Sequence, residues 1–270
     1  MDQTIMSVIT CDPRENHLLC ALTESELEQL TPHLELVTLS VAEVVFEVNE
    51  KLNHVYFPVS VIASMLCCLE DGSTVEVAMI GKEGVLGFST FLGKNASSTQ
   101  VIINQAGNAY RISIDALQNV LTRSGGRRLG NFRELMLRYA ESVFVHMSQT
   151  IACTRRHAVD RQLCTWLLTS FDRTTTDILS ITQASIGYIL GVRRETITEA
   201  AKKLQDEGMI EYGRGYIALK DREKMEAGAC ECYDIKKDEG LRLSEDLEML
   251  KTRSNKRERL TFSMNLTERL

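Results

Sequence analysis

Apolar positions change period along this chain, and each change marks a different kind of element. Between about residues 17 and 120 they fall in short blocks, VVFEV, HVYFPVSVIASMLCCL, TVEVAMIG, TQVIINQ and NAYRIS, separated by turn-forming stretches such as Glu70-Asp71-Gly72-Ser73. Short β-rich runs at this spacing predict antiparallel strands that close into a small barrel or jelly roll. Ahead of them, Thr23 is placed to cap a short helix with an acidic first turn at Glu24 and Glu26 and an apolar side of Leu22, Leu27 and Leu30. From about 128 to 152 the period lengthens to three and four, with Phe132, Met136, Tyr139, Val143, Met147 and Ile151 on one stripe of a long helix. Leu163, Trp166, Leu167 and Leu168 mark a further helix, with Trp166 as a core residue, and Thr174 to Asp177 form a polar loop after it.

Residues 181 to 219, ITQASIGYILGVRRETITEAAKKLQDEGMIEYGRGYIAL, carry the most specific pattern. A first helix capped by Thr182 presents Ile186, Ile189 and Leu190 on one face, and Gly191 supplies a tight turn. A second helix puts Ile197, Ala200, Ala201 and Leu204 on one side and Arg193, Arg194, Thr198, Lys202 and Lys203 on the other. Gly208 ends it, and Ile210 to Tyr212 and Tyr216 to Leu219 alternate as a hairpin with Arg214 at its tip. Two helices, a turn and a hairpin predict a winged helix-turn-helix. Its basic first turn suits a duplex groove, because guanidinium forks match guanine edges or phosphates and a helix N-terminus attracts anions.

The long stripe at 132–147 needs a partner along its length, either the chain's own barrel or a second copy. Two recognition helices must reach successive major grooves roughly 34 to 36 Å apart, which favours the two-fold contact through Phe132, Met136, Tyr139, Val143 and Met147.

Charge divides the chain in the same way. The net charge is -6, yet residues 1–120 hold 5 basic and 15 acidic side chains while residues 121–228 hold 17 basic and 13 acidic. Positive charge thus collects around the helix-turn-helix, as expected if that half faces phosphate and the acidic half faces something else. No apolar run approaches the roughly 18 to 20 residues that span a bilayer, and MDQTIMSVITCDPRENH lacks a basic region followed by an apolar core, so a cytoplasmic protein with no membrane partner is expected. Eight cysteines are too few for a disulfide scaffold and would stay thiols in a reducing cytosol, and Cys67, Cys68, Cys153 and Cys164 read as buried free thiols. Cys230 and Cys232 alone have ligand-like spacing, and two thiolates make half a zinc site, so neither metal nor cofactor is expected. The last forty residues lose regularity, and KTRSNKRERLT beside SEDLEM reads as a loose helix or a solvated, self-paired tail with no assigned role. The chain shows no G-x-S-x-G elbow, phosphate loop or H-E-x-x-H, and an enzyme is not expected.

Over roughly residues 17 to 235 the chain resembles the Crp/Fnr family of bacterial transcription factors. GVRRETITEAAKKLQDEGMI is similar to the family's recognition helix, which implies Arg194 and Glu195 as base readers with Thr196 following in register. Arg can grip guanine O6 and N7, and Glu can accept from cytosine N4. Thr182, Gln183, Arg193, Thr198, Lys202 and Arg214 complete the expected DNA-binding set. Where well-known members have a second arginine this chain has Glu199, so the operator is expected to differ from theirs. The front half resembles the family's cyclic-nucleotide-binding-like barrel, but Gly87-Phe88 and Ser98-Thr99 stand where nucleotide binders have Gly-Glu and Arg-Ser or Arg-Thr. Losing both the ribose acceptor and the charged phosphate grip, each worth about 1.5 to 3 kcal/mol, argues against cyclic AMP as effector. Cys11 and Cys20 do not match the tight N-terminal cysteine cluster of the iron-sulfur branch, and His54, the candidate for the haem branch, reads as a structural histidine.

The expected architecture is therefore α+β: a cyclic-nucleotide-binding-like antiparallel β jelly roll (17–127), a long dimerisation helix (128–155), a winged helix-turn-helix (156–228) and a charged tail (229–270). The expected function is sequence-specific transcription regulation by a homodimer on a two-fold symmetric operator, with RNA polymerase as partner and an unidentified effector. The competing expectation is a ligand- or partner-binding β-roll whose helix-turn-helix only packs.

Overall fold

The computed structural model describes residues 11–123 and 130–267, and the side chains of 11–121 and 131–257 among them. Two small sheets form the front half. Strands β1 (Glu35–Leu39), β7 (Gly107–Ser113) and β3 (His54–Pro58) pair in the order β1-β7-β3, and β2 (Val44–Phe46), β6 (Gln100–Gln105), β4 (Ile62–Cys68) and β5 (Thr74–Ile80) in the order β2-β6-β4-β5. Every pairing is antiparallel. Inward residues such as Val55, Phe57, Ala63, Ile103, Ala109 and Ile112 fill the space between the sheets. This is the expected jelly roll. The expected strands all form, and β1 is added: ELVTL shows little burial along its length and so carries a weak apolar signal.

Helices α1 (His17–Cys20) and α2 (Glu24–Leu30) close one side of the roll. Thr23 caps α2 as expected, with a reciprocal bond from its backbone to Glu26 that completes a capping box. After α3 (Ile114–Arg123), helix α4 (Gly130–Arg156) runs 27 residues and delivers the chain to α5 (Val159–Phe171). Strand β8 (Ile178–Leu179) precedes the helix pair α6 (Gln183–Leu190) and α7 (Arg194–Asp206), and β9 (Ile210–Gly213) and β10 (Tyr216–Leu219) form the wing in a sheet of order β8-β10-β9. A second core gathers here: Leu163, Trp166, Leu167 and Leu168 from α5 pack with Ile186, Ile189, Ile197, Ala201, Leu204 and Ile217.

Two expectations are corrected. Of the two expectations for the C-terminal segment the helix forms, and it is not loose: α8 (Arg222–Gly228) leads into α9 (Cys232–Thr267), a 36-residue helix packed antiparallel along α4. Its buried seam holds Cys232, Leu243, Leu247 and Leu250, with half-buried Lys236, Glu239 and Asp246 between them. Charged residues at seam positions hid the periodicity; Asp246 is answered by Arg138 of α4, Glu239 by Arg242 one turn along α9, and outside the seam Arg253 reaches Glu134 of α4 at 3.5 Å. The second correction concerns α4. Phe132, Met136, Tyr139 and Val143 are buried within their own chain, packed with the roll and α9. Tyr139 stacks edge-to-face on Phe88 at 5.9 Å, and a Cβ on Gly84 would collide with its ring. Met147 is half-buried against the same core. The larger apolar stripe went to the nearest hydrophobic surface, which is the roll.

No helix among the described residues is long and apolar enough to cross a membrane.

Candidate nucleic-acid interface

Gly191 sets the angle between α6 and α7. It takes φ 66°, and a Cβ there would sit 2.7 Å from the Thr74 carbonyl oxygen of β5, so both the left-handed turn and the close approach of the roll require glycine. Thr182 caps α6, its Oγ1 accepting from the Ser185 backbone N–H at 3.1 Å. Helix α7 starts after Arg193, the N-cap, whose side chain makes no capping bond. The α7 amides at this end are left without a side-chain cap, the condition under which a helix N-terminus takes an anion.

Helix α7 buries Ile197, Ala200, Ala201 and Leu204 and exposes Arg193, Arg194, Glu195, Thr198, Glu199 and Lys202. Thr196 is half-buried, and Arg214 is exposed at the tip of the wing. Most of the expected DNA-binding residues are therefore exposed. Gln183 differs: it is buried, and its Oε1 accepts from Thr198 Oγ1 at 2.7 Å, so it ties α6 to α7. Lys203, on the polar side of α7, is paired with Asp160 of α5. These two side chains hold the helices in place and leave Arg193, Arg194, Lys202 and Arg214 as the outward cations.

The helix-turn-helix leans on the roll through contacts no local pattern announces. Thr74 Oγ1 donates to the Tyr188 carbonyl, and the Tyr188 hydroxyl donates to Gln100 Oε1 at 3.0 Å. Arg173, after α5, donates to Glu83 at 2.7 Å, and the Trp166 indole N–H reaches the buried Glu76 carboxyl at 3.3 Å. Burial pushes the Glu76 carboxyl up from its ordinary value, while the Arg173 guanidinium holds the Glu83 carboxyl down against burial. His146 of α4, facing the charges of Arg173 and Lys236, is driven down to about 3, mainly by burial.

Inside the roll, Gly87 at φ 86° opens a short helical turn at 88–92, and Phe88 lies against Tyr139. Ser98 Oγ accepts from Lys94 at 2.7 Å, and Thr99 is buried. The expected carboxylate and guanidinium positions thus hold a phenyl ring and a hydroxyl. His54 begins β3 opposite Ser113, half-buried beside the Tyr56 ring.

One helix face was read only in part from the sequence, which put Met147 and Ile151 on the long stripe but singled out neither Leu137 nor Phe144. Leu137, Phe144 and Ile151 of α4 are exposed, with Phe144 at 71%, and half-buried Ala140 and Met147 fall between them. Spacings of three and four over 137, 140, 144, 147 and 151 make a heptad seam. It was visible as a repeat of seven but is less apolar than the stripe beside it.

The cyclic nucleotide-binding domain profile matches residues 36–124, and the Crp-like helix-turn-helix domain profile matches residues 161–227. No curated protein matches the chain. Among solved structures, a Crp/Fnr-family transcriptional regulator from Eubacterium rectale superposes with a TM-score of 0.60 at 16% identity, covering 78% of this chain and 96% of that one. FixK2 from Bradyrhizobium japonicum gives 0.59 at 16% identity, covering 73% and 98%. The c-di-GMP responsive regulator CLP of Xanthomonas campestris gives 0.55 at 14% identity, covering 73% and 99%.

Proposed function

The chain belongs to the Crp/Fnr family of transcriptional regulators, and from that premise we propose that it acts in the cytoplasm as a homodimer on a two-fold symmetric DNA site. The observation that carries this reading is the exposed, basic start of α7 on a helix whose opposite face is fully packed. Arg194 and Glu195 read bases in the major groove, and Arg193, Thr182, Thr198, Lys202 and Arg214 hold phosphate. Glu199 replaces a cation on the same face, so this operator differs from those read by two arginines.

The dimer seam is Leu137, Ala140, Phe144, Met147 and Ile151; of the expected contact it keeps Met147 and leaves Phe132, Met136, Tyr139 and Val143 to the roll. An exposed phenylalanine within a heptad repeat supports this, because such a repeat is the pattern by which one helix packs against another. The roll serves as sensor, and its missing carboxylate and guanidinium point away from cyclic AMP; RNA polymerase is the expected downstream partner.

Salt titration on a random duplex tests the reading. Affinity falling steeply with salt, with a recoverable palindrome, supports it. Absence of duplex binding at low salt overturns it and leaves the roll as a partner-binding module.

A further inference from the structure

Four donor side chains from distant parts of the sequence converge where α4, α5 and α9 meet. Cys153 and His157 lie one turn apart at the end of α4; Cys230 follows α8, and Cys232 opens α9. Their ligand atoms all lie within 4.8 Å of one another. Cys153 Sγ and Cys230 Sγ are 3.5 Å apart, and Cys232 Sγ is 3.5 Å from His157 Nδ1. Tetrahedral zinc with bonds of about 2.3 Å to sulfur and about 2.0 to 2.1 Å to nitrogen needs S···S near ~3.8 Å and S···N near ~3.5 Å. Those two pairs are at that size, and no pair of donors exceeds it by more than about an ångström. All three thiols are buried, at 5%, 3% and 1%, in a group separate from the two main cores.

The surroundings suit metal ligands. The second ring nitrogen of His157, Nε2, is 3.3 Å from Glu231 Oε2, the carboxylate-to-histidine bond that fixes the tautomer and leaves Nδ1 to ligate. Gln149 Nε2 donates to Cys232 Sγ at 3.1 Å, and Thr165 Oγ1 lies 3.1 Å from Cys230 Sγ. Donors around sulfur stabilise thiolate. Lys236, one turn along α9, lines the same small cavity as Cys153 and supplies a counter-charge to a three-thiolate site.

We propose that Cys153, His157, Cys230 and Cys232 form a structural zinc site that fastens the start of α9 to the end of α4. Four protein ligands fill a tetrahedron and leave no open position, so the role is structural rather than catalytic. Three sulfurs and one imidazole select zinc over magnesium or calcium. A disulfide between Cys153 and Cys230 is the rival chemistry, and it leaves Cys232 and His157 without a purpose. The site lies at the elbow where α4 passes to the DNA-binding half, so metal there fixes α9 across the joint. The inference stands independently of the DNA reading.

The test is metal analysis of the full chain, purified without a tag or chelator, followed by cobalt substitution. About one zinc per chain is expected, and cobalt should give the visible bands of a tetrahedral thiolate site. Cys153→Ser and Cys232→Ser should each lose at least about tenfold in zinc affinity, while Cys68→Ser, at an exposed thiol, keeps it. If the serine variants fail to fold, the cobalt spectrum of the unaltered chain decides alone. No zinc together with no tetrahedral cobalt spectrum overturns the proposal. So does full zinc retention in both folded variants, or a Cys153–Cys230 disulfide found by peptide mapping of the chain purified without reductant.

Discussion

Arg194 and Arg214 divide the DNA contact by chemistry. A guanidinium on a base edge carries sequence information, whereas one at the tip of a wing carries only charge. Arg194→Ala should cost about 1 to 3 kcal/mol on the selected site and little on random duplex, while Arg214→Ala should weaken both alike; titration of both duplexes with each variant measures it, and equal losses for Arg194→Ala contradict the base-reading role. His146 makes a second residue-scale prediction. Its folded value of about 3 lies below the ordinary 6.5, so the unfolded chain binds the extra proton between those values. Stability from the neutral imidazole is present above about pH 6.5 and is lost as pH falls toward 3, roughly 1 to 2 kcal/mol of it by pH 5. Urea unfolding at pH 7 and pH 5 should show that loss, and His146→Gln should flatten it.

Helices α4 and α9 show what periodicity can and cannot reveal. The helix-turn-helix was legible almost residue by residue because each position agrees with one local rule: Thr182 caps, Gly191 turns, and Ile197 to Leu204 repeat at helical spacing. The strands of the roll were legible for the same reason. Helix α9 was not, because its seam alternates leucines with Lys236, Glu239 and Asp246, and the partner of Asp246, Arg138, lies about a hundred residues away on α4. Helix α4 misled differently, by carrying two apolar stripes of which the stronger belongs to the roll. Leu247→Ala should therefore cost about 2 to 5 kcal/mol, whereas Leu241→Ala, at an exposed position, should stay within about 0.5 kcal/mol; thermal or urea unfolding separates the two. Phe144→Glu should remove two symmetric rings worth about 1.5 to 3 kcal/mol each from the dimer, raising its Kd at least about a hundredfold. Sedimentation should then find folded monomers. A stable dimer of that variant contradicts the seam.

At the scale of the molecule, the acidic roll and the basic helix-turn-helix are one packed unit rather than two units on a tether. Tyr188 on Gln100, Arg173 on Glu83, Trp166 on Glu76 and Gly191 against Thr74 set the attitude of α7 from the roll's own strands. A change in the roll can therefore reach the DNA surface through rigid contacts, and Tyr188→Phe should shift DNA affinity with no loss of base preference; a preference altered by that variant contradicts a role in attitude alone. None of these four contacts was legible in the sequence, since each joins positions that no local pattern relates. If the open face of α7 reads a two-fold symmetric sequence, selection from a random duplex pool with sequencing of the retained DNA will recover it. A palindrome with half-sites about one helical turn apart, lost with Phe144→Glu and blurred with Arg194→Ala, is the predicted result. Retention with no common sequence, or a single half-site bound equally well by monomer, would contradict it.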